Sequence, residues 1–117
     1  MLKLKRVYKD SEKNDGYRIL ADRLWPRGLT KQKAKIHLWF KDIAPSDSLR
    51  KWFSHDVSKW NDFEKRYKEE LSGKKDLLKI IGQKEKEHKI VTLLFGAKDE
   101  KHNQAIVLKK VYIGEKG

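Results

Sequence analysis

The stretch Ile90-Val91-Thr92-Leu93-Leu94-Phe95 is an unbroken run of strand-forming residues with no charge in it. A strand that is apolar at every position needs cover on both faces, which is the condition of a strand inside a parallel sheet. Working outward, Gly96 to Asn103 is a polar loop, and about His102 to Tyr112 reads as a helix burying Ala105, Leu108 and Tyr112. Upstream, Leu77, Leu78 and Ile81 lie on a short helix that Gly82 is expected to stop, followed by the solvated run Gln83 to Lys89.

The remaining chain repeats this alternation. Leu2 to Tyr8 alternates apolar and basic residues and reads as a first strand, closed by the polar loop Lys9 to Gly16. Tyr17 to Leu24 begins as a second strand, which Trp25-Pro26-Arg27-Gly28 must end because proline lacks the ladder donor. Thr30 caps a short helix through Lys35, and Ile36 to Ile43 leans towards a strand that Pro45 terminates. Ser46 is a natural N-cap for a helix carrying Leu49, Trp52 and Phe53, and Ser58 for one carrying Trp60, Phe63, Tyr67 and Leu71 up to Gly73. The expectation is an α/β fold: a single domain over residues 1–117, with a small, largely parallel sheet and helices packed on its faces. In such sheets ligands bind outside the carboxyl ends of the strands.

Two constellations fall at those ends. Asp22-Arg23-Leu24-Trp25-Pro26-Arg27-Gly28 puts one carboxylate and two guanidinium groups on a rigid turn, and the planar fork of arginine suits phosphate or carboxylate oxygens. The competing reading is an ion pair of Asp22 with Arg23 or Arg27 that ties the loop down. Gly96-Ala97-Lys98-Asp99-Glu100-Lys101-His102-Asn103 offers Lys98 to neutralise an anion, Asp99 as base or helix cap, and His102 as the group whose free pKa lies near neutrality. Here the competing reading is an N-cap beside a surface histidine. Asp22, Asp99 and His102 are therefore the candidate proton-transfer groups, and Arg23, Arg27, Lys98 and Asn103 the candidate ligand contacts. They are expected to converge at one edge of the sheet.

Composition sets limits on the chemistry. The chain has no cysteine, so disulfides, thiol nucleophiles and thiolate metal sites are excluded. The four histidines lack a metal-ligand spacing, so no metal site is indicated, and neither a G-x-G-x-x-G nor a Walker pattern occurs, so no standard nucleotide loop is offered and any cofactor is unknown. Ser54-His55-Asp56 holds triad residue types, but adjacent residues rarely converge on one reacting atom. No apolar run approaches the roughly 20 residues of a membrane span, and the start lacks a signal-peptide core, so a cytoplasmic address without membrane contact is expected. The formal charge of +12 favours an anionic partner. A phosphate-bearing small ligand is the leading class, with nucleic acid bound by a diffuse basic surface, or a non-catalytic interaction domain, as alternatives. The aromatic block Trp52, Phe53, Trp60, Phe63 and Tyr67 could stack bases, but its helical spacing favours core packing.

The stretches Asp15-Gly16-Tyr17-Arg18, Asp22 to Gly28, Lys41-Asp42-Ile43-Ala44-Pro45-Ser46, Leu49 to Asp56, Trp60, Phe63, Arg66-Tyr67 and Ala97 to Asn103 together resemble the YeaO-like family of bacterial and archaeal proteins, a domain of unknown function. The resemblance covers nearly the whole chain and implies no activity. It implies that both strand-end constellations belong to family signature stretches. The family pattern has an acidic residue where this chain has His37, and alanine or a similar residue where it has Gly96.

Overall fold

Strand β4 (Val91–Phe95) is flanked on both sides in a four-stranded sheet of order β1-β4-β2-β3, and all five of its residues are buried. In the computed structural model, which describes residues 1–116, every strand pairing is parallel. β1 (Leu2–Arg6) runs in register with β4 from Leu2 opposite Val91 to Arg6 opposite Phe95, while β2 (Tyr17–Leu20) aligns Tyr17 with Val91 on the other side. The short β3 (Leu38–Trp39) closes the edge. No helix among the described residues is long and apolar enough to cross a membrane.

Alternation along the strands divides the residues between two unequal layers. Val91, Leu93 and Phe95 of β4, with Leu2 and Ile19, join a large core supplied by four helices: α2 (Asp47–Phe53), α3 (Trp60–Ser72), α4 (Lys75–His88) and α5 (Gln104–Lys116). The opposite face carries only the small cluster Val7, Leu20 and Leu94, covered by Trp25, Leu29, Ile36 and Trp39 around the four-residue α1 (Lys31–Ala34).

That thinner face also holds a buried ionic network. Arg18 donates to Asp15 at 2.6 Å and to the carbonyls of Ala34 at 2.9 Å and Lys35 at 3.1 Å. Lys5 reaches both Asp15 oxygens at 3.1 Å, and Thr92 Oγ1 donates to the Asp15 carbonyl at 2.6 Å. Burial would raise the Asp15 pKa, but the Glu12 N–H, Lys5 and Arg18 together hold it below the ordinary carboxylate value. All members are satisfied, as a buried polar network requires. Gly16, between Asp15 and Tyr17, has φ +64°, and a Cβ there would sit 2.2 Å from the Ile90 carbonyl oxygen.

The expected caps at Thr30 and Ser46 form: their hydroxyls accept the N–H groups of Lys33 and Leu49. Several boundaries differ. β2 stops at Leu20, before the expected Leu24. Ile36 to Ile43 yields only two strand residues and then a 3-10 turn at Lys41–Ile43. Asp56, not Ser58, caps the turn leading into α3, because its carboxylate accepts the Ser58 N–H at 3.0 Å. Gly82 does not stop α4, which continues to His88; Tyr112 of α5 packs 3.5 Å from where a Gly82 side chain would start, and its hydroxyl donates to Glu85 at 2.7 Å. Tertiary packing over the glycine outweighs its low helix propensity.

Candidate functional site

β2 and β4 are parallel neighbours, so their carboxyl ends open on the same edge of the sheet, and a cleft of about 370 Å³ lies there. Its floor is formed where the two chain exits meet. Asp22, two residues beyond β2, accepts the Gly96 N–H through Oδ2 at 2.7 Å, and its Oδ1 accepts from the Gln104 side-chain amide at the start of α5. The approach depends on residue 96 being glycine: a Cβ there would lie 2.8 Å from Asp22 Oδ2. Burial lifts the Asp22 pKa to about 6, and the bonds from Gly96 and Gln104 only partly offset it. Neither Arg23 nor Arg27 pairs with this carboxylate. Arg23 instead turns its guanidinium to the carbonyls of Pro45 at 2.9 Å and Ala44 at 3.3 Å, fastening the β2 exit to the segment before α2.

The walls come from distant parts of the chain. His102 forms one, held edge-on against Trp60 with ring centroids 5.3 Å apart and bonded through Nδ1 to Asp99 Oδ2 at 2.9 Å. The Lys101 N–H and the His102 ring hold the Asp99 pKa below its ordinary value. Phe53 and Phe63, stacked at 4.3 Å, form the apolar back of the cleft. The mouth carries the cations Arg50 and Lys51 of α2, with His55 from the turn after it. Ser54, the left-handed C-cap of α2, and His55 after it both adopt positive φ, 44° and 59°, which turns the chain sharply at the cleft mouth. Arg50 Nη2 donates to Asp47 at 2.6 Å, while its buried Nε has no hydrogen-bond partner in the protein.

Of the residues singled out from sequence, Asp22, Arg23, His102 and Asn103 line this one cleft, and Asp99 reaches it through His102. Asn103 is committed to structure: its Oδ1 caps α5 by accepting from Ala105 and Ile106, and its Nδ2 donates to the Asp99 carbonyl. Arg27 and Lys98 are exposed and do not line the cleft. The residues that sequence reading missed are Arg50, Lys51, His55 and Gln104. His55 stood inside the dismissed Ser54-His55-Asp56 run, and Arg50 and Lys51 inside a signature stretch, but nothing local marked them as neighbours of Asp22. In the aromatic block, Phe63 and Tyr67 are buried as expected, whereas Trp52 and Trp60 are half-buried. Arg66 lies over the Trp52 ring at 4.2 Å, so a cation already occupies that face.

Residues 1–115 match the family model described as the inactive DUF488-N3 subclade. The uncharacterised protein YeaO of Escherichia coli is 41% identical over 107 residues, covering 92% of each chain. Uncharacterised proteins of Mycobacterium tuberculosis and Mycobacterium bovis are each 34% identical over 116 residues, covering 97% of this chain and 94% of theirs. No solved structure matches the chain. With a family model matched over nearly its full length and a YeaO relative aligned across the same span, the chain belongs to the YeaO-like family, within the inactive DUF488-N3 subclade.

Proposed function

We propose that the cleft at the carboxyl ends of β2 and β4 binds a phosphate-bearing, nucleotide-like small molecule, with its anionic group held by Arg50, Lys51 and His55. The observation that carries this reading is Arg50. Arg50 lines the cleft and is bonded through Nη2 to Asp47, while the outer edge of its guanidinium fork remains for an anion. The planar fork of arginine suits phosphate oxygens, and Lys51 adds a second positive charge beside it. The cleft volume of about 370 Å³ lies within the range of small-ligand sites, and Phe53 and Phe63 give the ligand an apolar wall.

The description of the subclade as inactive favours holding the ligand over converting it. On this reading Asp22 and His102, the groups whose residue types suit proton transfer, are ligand contacts, and Asp99 orients the His102 ring. Arg23 supports the site by fastening the Pro45 segment. Calorimetric titration with a nucleoside 5′-monophosphate is the test. Arg50→Ala should weaken binding by about 1.5–3 kcal/mol, and the exposed Lys13→Ala should leave it unchanged. The fold should tolerate Arg50→Ala, since the ion pair it loses is largely exposed. Similar small losses in both variants, with affinity for short oligonucleotides collapsing as salt rises, would instead identify the diffuse nucleic-acid surface.

A further inference from the structure

The one carboxylate on the cleft floor is poorly placed for an anion site. Asp22 receives bonds only from the neutral Gly96 N–H and the Gln104 amide, and each carboxylate oxygen retains an acceptor position beyond these. No described lysine or arginine is paired with it. An oxyanion drawn in by the cations at the mouth therefore meets a second negative group across a partly desolvated cleft. Two such groups cannot approach closely while both are ionised, and one proton between them removes the conflict.

We infer that the cleft takes up its anion together with one proton, held at Asp22, so that the neutral carboxyl group donates a hydrogen bond to a ligand oxygen. The inference rests on the reading of the cleft as an anion site. Burial has already raised this carboxyl's affinity for a proton, so only a further modest rise is needed near neutral pH. The other charged or titratable groups around it act differently. Arg23 at the β2 exit is fastened to carbonyls; Arg50 and Lys51 at the mouth attract any anion, and the His55 and His102 rings line the same cleft. Tyr67, on α3, is kept neutral by burial and donates its proton to the Ile43 carbonyl at 2.6 Å. Asp99 reaches the cleft through His102, but the Lys101 N–H and the His102 ring hold its pKa below the ordinary value, so Asp22 is the acidic group placed to become a donor.

The sign is determined. A negative ligand raises the Asp22 pKa in the complex above its value in the free protein, so binding is strongest below the free value and weakens as pH rises through the two. Phenyl sulfate is the probe, because its own charge does not change in this range. Titrated at pH 7 in two buffers of different ionisation enthalpy, it should bind with uptake of about half a proton or more. Its affinity should fall by about ten-fold between pH 6 and pH 8. Asp22→Asn should abolish the uptake and bind at least as tightly as the wild type at pH 8, since the amide donates without needing a proton. If Asp22→Asn does not fold, the double variant His55→Gln, His102→Gln decides: uptake that persists there supports Asp22, and uptake that disappears overturns it. Wild-type binding without proton uptake overturns the inference and leaves the anion site standing. No binding of phenyl sulfate or of the nucleotide overturns both.

Discussion

Asp22 Oδ2 accepts the backbone N–H of Gly96 at 2.7 Å, joining two positions 74 residues apart and tying the exits of β2 and β4 into one floor. A carboxylate placed so closely against backbone, without a cation beside it, makes both stability and binding depend on its charge.

The first prediction is a pH dependence of folding. Burial lifts the Asp22 pKa to about 6, whereas an unfolded aspartate titrates at about 3.9. Between those values the folded state binds a proton that the unfolded state does not, so stability falls as pH rises from about 4 to 6 and stays lower above. Asp15 acts with the opposite sign: its pKa is depressed, so its contribution is lost only as pH falls below about 4. Urea denaturation of the wild type and Asp22→Asn across pH 4–7 should show a difference on the order of 2 kcal/mol that grows with pH. A constant difference would contradict the assignment.

Gly96→Ala tests the close approach itself. The added methyl would fall 2.8 Å from Asp22 Oδ2, so the carboxylate must shift away from the Gly96 N–H. Because the obstructing atom ends a short side chain, the expected loss is about 1–2 kcal/mol in thermal or urea unfolding. A change in ligand affinity larger than this loss would place Asp22 in the binding event.

Two other glycines should respond to alanine in opposite directions. Gly16→Ala would force a Cβ to within 2.2 Å of the Ile90 carbonyl oxygen at φ +64°, and a loss of about 3 kcal/mol or more is expected. Gly82→Ala meets only ordinary contact, 3.5 Å from the Tyr112 hydroxyl, inside a continuous helix. It should therefore stabilise the protein by about 0.5–1 kcal/mol. Melting temperatures of the two variants beside the wild type settle both signs.

Arg18→Ala should be among the most damaging side-chain truncations. It removes the 2.6 Å contact to the buried Asp15 and leaves the Ala34 and Lys35 carbonyls without their donor. Breaking such a buried pair from one side costs about 3–5 kcal/mol, readable in urea denaturation. Asp15→Asn together with Arg18→Ala should cost less than the sum of the two single changes, because the pair acts as a unit.

What the sequence determined by itself was local. The charge-free run at Ile90 to Phe95 demanded two covered faces, and β4 is the buried strand with a neighbour on each side. Thr30 and Ser46 cap helices because their partners lie three residues onward. Proline and glycine after the second strand placed Asp22 and Arg23 near a strand end, and the stop of β2 at Leu20 puts them beyond it, where the cleft opens. Tertiary structure decided the rest, because those choices depend on partners far away in the chain. Arg23 had several acceptors within reach of its residue type, and only the position of Pro45, 22 residues on, selects the carbonyls over Asp22. Arg50, Lys51 and His55 come to share a cleft with Asp22 only when α2 packs against α3 in the folded chain. Gly82 reads as a helix stop until Tyr112, 30 residues later, is laid over it. Residue type and spacing specify which bonds a side chain can make, and the packed fold specifies which partner is near enough to make them.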